Sequence, residues 1–231
     1  QSQFFKPRTP EALYNIEEDP HETNNLANDD NYNETLTGLR NELNNHLISI
    51  NDLSFLPEPH LLQNGLDDIV DYSEKNKDLI KSLIEISDLM LYDYNEVSSK
   101  IKDALNNDNP WVRYWGLIVS STFGNLALEN NEKINFIFEN DSENLVRMRA
   151  AEFMLLNNIE ISDSKINSLL VRSNFEAEAN LMLNTLANLK TKDSDYKLKL
   201  GKEVFPDDWF PPIRNENALV NRRMNYLTNN E

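Results

Sequence analysis

The sequence contains no cysteine. That absence removes disulfide frameworks, thiolate zinc sites and a cysteine nucleophile together. Glycine is nearly as scarce, with five residues among 231. All-β folds use glycine freely in their turns, so the shortage points to helices. No apolar run approaches the ~18 residues that a membrane-spanning helix needs, and no membrane span is expected. Basic residues are the remaining deficit. Lysine and arginine number 22 against 39 aspartates and glutamates, a net charge of −17. Such a surface repels phosphate backbones, so no nucleic-acid partner is expected. The chain opens at Gln1 and runs straight into Phe4-Phe5, which reads as the cut edge of a longer protein.

What is present is helical periodicity. Tyr32, Leu36, Leu39, Leu43, Leu47 and Ile50 step by three or four, one stripe of a long helix. Asp29 and Asp30 stand before it as candidate caps. Pro57 and Pro59 then break the pattern and mark a connector. A second helical stretch is expected near residues 74–92, with Leu79, Leu83, Ile86 and Met90 on one side. From about residue 95 the stripes come in pairs: Val97 to Leu105 with Trp111 to Thr122, Ile134 to Phe138 with Val146 to Met154, and Ile166 to Leu170 with Phe175 to Leu189. The second members are offset by about 34 and 31 residues. A lone helix pair cannot bury both apolar faces, so stacked pairs sharing a core are expected. Paired asparagines such as Asn106-Asn107 and Asn157-Asn158 sit where a stripe ends, which suits helix termini.

"NPWVR" at Asn109 to Arg113 aligns with "ENLVR" at Glu143 to Arg147. The arrangement resembles the HEAT repeat, whose second helix starts near a proline and carries Val-Arg at its beginning. The valine would pack inward, and the arginine would reach loop carbonyls or a carboxylate of the neighbouring unit. The third unit departs from this, with Ala177-Glu178 in place of Val-Arg, as a terminal repeat can. Beyond it, Pro206, Pro211 and Pro212 exclude a helix over 203–213. An extended tail burying Phe205, Trp209 and Phe210 is expected there, then a last helix near 216–228.

The first fifty residues carry a different signature. Ala12-Leu13-Tyr14-Asn15-Ile16 suits a short strand. The acidic turn Glu17-Glu18-Asp19-Pro20 follows, then Glu22 and Asn25-Leu26-Ala27 before the long helix. This order resembles the end of the catalytic region of sulfatases, the formylglycine-dependent sulfate-ester hydrolases, over about residues 4–50. Asn15 and Ala12 replace the aspartate and glutamate usual there. "ISINDLSFLPEPHLL" resembles the connector that joins some bacterial sulfatases to helical repeat extensions.

The resemblance implies a mainly α chain with a HEAT-like α-α repeat stack. Residues 1–56 would be the end of the sulfatase C-terminal subdomain, 57–73 a connector, 74–202 the repeats, and 203–231 a proline-rich tail with a final helix. It also implies a sulfatase catalytic core as partner, a sulfated carbohydrate as substrate, and a secreted or periplasmic location. That location comes from the resemblance and not from a visible signal segment. The nucleophile of such enzymes is a formylglycine made from Cys or Ser in Cys/Ser-x-Pro-x-Arg. No cysteine exists here, and no proline has a serine two residues before it. Formylglycine and calcium are therefore expected in a core outside this chain, which alone would be inactive. The alternative is a stand-alone helical repeat scaffold that binds a protein.

No catalytic, cofactor or metal residue is assigned. His21, His46 and His60 fall in separate segments without ligand spacing. The acidic pairs Asp29-Asp30, Asp67-Asp68 and Asp207-Asp208, and the run Glu17-Glu18-Asp19, lack the alternation of a calcium loop. Trp111 and Trp115 share a helix face and read as core. Lys190, Lys192, Lys197, Lys199 and Lys202, with Arg214, Arg222 and Arg223, form the one basic cluster. The Lys190–Lys202 region would face a sulfated carbohydrate or an acidic surface of the missing core, or is the solvated face of an exposed helix end.

Overall fold

The computed structural model describes residues 9–173, 175–192, 205 and 218–228. The chain is mainly α, as the scarcity of glycine and the three-to-four spacing imply, and no strand occurs among the described residues. It divides into two units, 1–52 and 53–231.

In the first unit, a loop leads through a short turn, Asp30–Tyr32, into α1 (Asn33–Ser49). Asp29 caps the turn by accepting from the Asn31 N–H at 3.0 Å. The strand expected at Ala12–Ile16 is not formed. The one backbone bond across the loop there runs from the Leu26 N–H to the Leu13 carbonyl, at 2.8 Å. A ladder needs a neighbouring strand, and the described residues provide none. No residue of α1 is buried, and Leu39, Leu43 and Ile50 are each about half exposed or more.

The second unit is a stack. Its helices are α2 (Glu58–Asn64), α3 (Ile69–Lys75), α4 (Lys77–Ser87), α5 (Tyr94–Leu105), α6 (Pro110–Phe123), α7 (Asn131–Asn140), α8 (Asn144–Leu156), α9 (Asp163–Val171), α10 (Glu176–Lys192) and α11 (Ala218–Thr228). The stretch 57–73, expected as a connector, thus carries α2 and the start of α3. The helix expected over 74–92 is broken at Asn76, which ends α3 and begins α4. Helices α4, α6, α8 and α10 pack successively as one layer, α11 continues it, and α5 and α7 each pack against the helix that follows. Ile101, Leu105, Leu117, Ile134, Phe138, Val146, Phe153, Leu169, Met182 and Leu186 run through one continuous core. Phe205, expected to be buried, is 4% exposed. Trp209 and Phe210 lie outside the described residues.

Local chemistry explains the boundaries. Asn109 caps α6 by accepting from the Trp111 N–H at 2.9 Å, with Pro110 in the first turn, where a missing N–H costs nothing. Gly124 ends α6 at φ +51°, a conformation that favours glycine. A methyl group on Gly116 would lie 3.1 Å from the Ala104 Cβ, so this glycine lets α5 and α6 approach closely. Asparagines close helix ends: Asn106, Asn140 and Asn157 each donate to the carbonyl four residues back at 2.8–2.9 Å.

Arg113 joins consecutive helix pairs. Its Nε and Nη2 grip Asp141 at 2.7 and 2.9 Å, and its Nη1 reaches the carbonyls of Asn107 and Asp108. The Asp141 side chain is 3% exposed and also accepts from the Glu143 N–H. Asp141→Ala leaves that guanidinium without its carboxylate, and the expected loss is about 2–4 kcal/mol of unfolding free energy in urea titration.

Candidate functional site

Trp111 and Trp115 lie about 140° and about 100° round α6 from Gly116, the residue that meets α5. The segment after Asp52 covers them. Trp115 donates from Nε1 to the Phe55 carbonyl at 2.7 Å, and the Phe55 ring lies 5.5 Å from the Trp115 ring. The His60 ring stands 4.5 Å from Trp111. His60 Nε2 is 2.7 Å from the Tyr72 hydroxyl of α3. Asn64 Nδ2 lies 3.3 Å from His60 Nδ1 and donates to the His60 carbonyl at 2.9 Å. Burial pushes the imidazole down from its ordinary value and the Tyr72 phenol up. Helix α2 continues across to α10. Between them lies a cavity of about 700 Å³ walled by Leu56, Pro57, Glu58, Tyr114, Glu176 and Asn180, among others.

The reading of the two tryptophans as core holds, but the element that covers them was taken for a linker. The signal was available: Phe55 and Leu56 directly precede Pro57, and large apolar residues in a linker need a partner.

Two further polar groups lie on the same layer. Arg149 of α8 donates to Glu152 at 2.7 Å and to the Tyr114 hydroxyl at 2.9 Å, and its guanidinium lies over the Tyr114 ring at 5.1 Å. Burial opposes its charge, yet these partners hold it firmly protonated. At the start of α8, Glu143 is half-buried. Its carboxyl is pushed up first by burial, then by Glu178 and Asp141, against the pull of Arg113. On the other layer, the Tyr94 hydroxyl donates to Glu129 at 2.7 Å, and burial with that carboxylate pushes it up to about 12.

In the first unit the residues of the loop signature have structural work. The Asn25 Oδ1 accepts from the Leu13 and Ala27 N–H groups, and its Nδ2 donates to the Glu11 carbonyl. Asp19 accepts from Thr23 N, Thr23 Oγ1 and Asn24 N at 2.7–2.9 Å. The Asn24 N–H leads in holding its carboxyl below the ordinary value. Arg40 of α1 grips Glu11 with two bonds of 2.8 and 2.6 Å. The loop is thus pinned from both ends.

The remaining candidates disperse. His21 and His46 are exposed. No group of three His, Cys, Asp or Glu side chains among the described residues is placed to hold a metal ion. Lys190 donates to the Tyr226 carbonyl at 2.6 Å and lies over that ring, and Arg223 bonds Asn184, so both tie α10 to α11. Lys197, Lys199, Lys202 and Arg214 lie outside the described residues, as does the side chain of Lys192. Compared with known proteins, the chain matches no family model, no curated protein and no solved structure.

Glu143 gives a pH-dependent prediction. Its folded value lies above the unfolded one, so the folded state loses stability as pH rises through the folded value and regains it as pH falls. Glu143→Gln is expected to raise the melting temperature at pH 7 by about 1–3 °C. The gain should vanish below about pH 4.5, where the unfolded carboxyl is also protonated. Calorimetry at both pH values checks this.

Proposed function

We propose that this chain is the C-terminal accessory region of a sulfatase acting on sulfate esters of a carbohydrate, secreted or periplasmic, whose formylglycine and calcium reside in a catalytic core outside the chain. Residues 1–56 would be the edge of its C-terminal subdomain. The observation that carries the reading is the uncovered first unit. A seventeen-residue helix with one apolar stripe is marginal without a body to pack on. Leu39, Leu43 and Ile50 remain exposed, as does Ile16 at the end of the signature loop. That loop nevertheless holds a defined shape through Asn25, Asp19 and Arg40. A pinned loop beside an uncovered stripe suits a margin that another body completes.

The repeats would be HEAT-like. Val112 and Val146 are 5% and 0% exposed, as inward valines of such a motif should be. Arg113 reaches across to the next pair, and Arg147 donates to the Phe138 carbonyl at 2.6 Å. The third pair replaces this with Glu178, which accepts from Asn144 at 3.1 Å. A scaffold for the catalytic body fits the net charge of −17 better than a surface for a polyanionic substrate. The alternative reading is a stand-alone helical repeat scaffold that binds a protein.

Three outcomes are expected. The full chain, produced in a host able to make formylglycine, shows no turnover of a chromogenic sulfate ester; turnover would overturn the assignment. The reading frame upstream of Gln1 encodes Cys/Ser-x-Pro-x-Arg; a nearby start codon with no such motif would also overturn it. Leu39→Lys with Leu43→Lys should change the chain's unfolding free energy by less than about 0.5 kcal/mol, because both residues are already in solvent. The same pair should destabilise a protein that includes the catalytic body, by chemical denaturation.

A further inference from the structure

We propose that the groove between α4 and α5 docks a basic amphipathic helix of a partner protein. The inference stands whether or not the hydrolase reading holds. Both helices pack on α6 but touch each other little, which leaves a cleft of about 660 Å³ with Val112 of α6 at its floor. The α5 wall is one helix face. Val97, Lys100 and Ala104 step by three or four, and Asn107 continues the line beyond the helix end. At 1.5 Å per residue that wall is about 15 Å long. Across the cleft, Ser82 and Ile86 of α4 and Leu89 in the turn after it form the facing wall. Two helix faces with a trough between them suit a third helix, whose side chains fill the trough.

The place of the groove in the stack explains why it is open. Tyr94 and Lys102, on the opposite face of α5, hold Glu129 in the turn that leads to α7. The groove therefore lies on the leading side of its layer, where a repeat stack would set the helix of a preceding pair. At the far end of the stack, by contrast, α11 packs on α10.

Charge selects the occupant. Glu85, Asp88, Glu96 and Asp103 line the groove, with Lys100 as the basic residue among them. An anionic segment, or a phosphorylated or sulfated one, would be repelled there. Leu89, Val97, Ala104 and Val112 are only 3–5% exposed, so the apolar surface still open to a partner is chiefly at Ile86, which is half-buried, and Tyr92, which is exposed. A narrow apolar ridge fits that floor, and lysine or arginine beside the ridge meets the carboxylates and the face of Tyr92. With little apolar area left to bury, opposite charge carries much of the attraction, and it is strongest at low salt.

The test uses the full chain and a fluorescein-labelled peptide of about eighteen residues, long enough to form a helix. Its leucines lie on one face and its lysines beside them. Fluorescence anisotropy at low salt is expected to show saturable binding to the parent chain. Glu96→Lys with Asp103→Lys, both exposed, should weaken that binding about tenfold or more. Glu132→Lys with Glu160→Lys alters net charge equally at exposed positions outside the groove, and should weaken it less than about twofold. Equal losses in the two double variants would mean general attraction to an acidic chain, and would overturn the proposal. So would an absence of binding to the parent, or equal affinity for an isomeric peptide whose leucines are scattered round the helix. If the groove variant has lost its helices by circular dichroism, Lys100→Glu decides. It should tighten binding about threefold, and an unchanged or weaker affinity overturns the proposal.

Discussion

A helix with one apolar face needs something to cover it, and residues 53–228 satisfy that need by succession. Helix α6 lies between α4 and α8, and α8 between α6 and α10, while the partner helices of each pair close the other side. Fully buried residues such as Leu117, Val146 and Leu186 are therefore contributed one pair at a time to a core that no single pair could enclose. Arg113 fixes the register of one junction by binding Asp141 of the next pair with a bidentate fork, while also closing its own loop. The rule extends to the face that the stack leaves uncovered. Residues 53–64 supply Phe55, Leu56 and His60 to it, so the aromatic side of α6 is covered by the chain itself.

The same rule fails in the first unit, and that failure carries the functional proposal. Its loop is pinned by polar chemistry, an asparagine that bridges two stretches of chain, an aspartate that accepts three bonds and an arginine fork, while Leu13, Tyr14 and Leu26 are only partly buried. None of these pins buries apolar surface. On the stripe of α1, Leu39, Leu43 and Ile50 remain in water and Tyr32, Leu36 and Leu47 are only half-buried. Polar pins set the shape of a segment, but burial supplies most of the free energy that keeps a helix folded. The unit thus has the shape of a structural edge without the core that an edge belongs to.

Much of the stack was legible in the sequence because its signal is periodic. The stripes at Val97, Trp111, Ile134, Val146, Ile166 and Phe175 each became a helix, the last helix was expected within two residues of its start, and Asn106-Asn107 and Asn157-Asn158 marked ends, whereas Asn44-Asn45 lies inside α1. Three things were not legible. The break at Asn76 splits a stretch expected as one helix: its Nδ2 closes α3 on the Tyr72 carbonyl, and α4 starts after the same residue. The covering segment 53–64 was hidden because two prolines in three residues mimic a linker, whereas Pro59 sits in the first turn of α2, where proline is tolerated. The expected strand at Ala12–Ile16 had the right residues, but pairing is a property of two segments, and one segment cannot state it. Of the candidate residues, the tryptophan pair was read correctly as core, while Asn25 and Asp19 were read as signature and turn residues, and their bonds became visible only in three dimensions.

The central claim is that residues 33–49 lack a core of their own while residues 53–228 have one. Native-state amide exchange on the intact chain tests it directly. The account predicts protection in α6 and α8 approaching the free energy of global unfolding, and protection in α1 lower by at least about 3 kcal/mol. Equal protection in α1 and α6 would mean that the first unit is already complete, and would contradict the account.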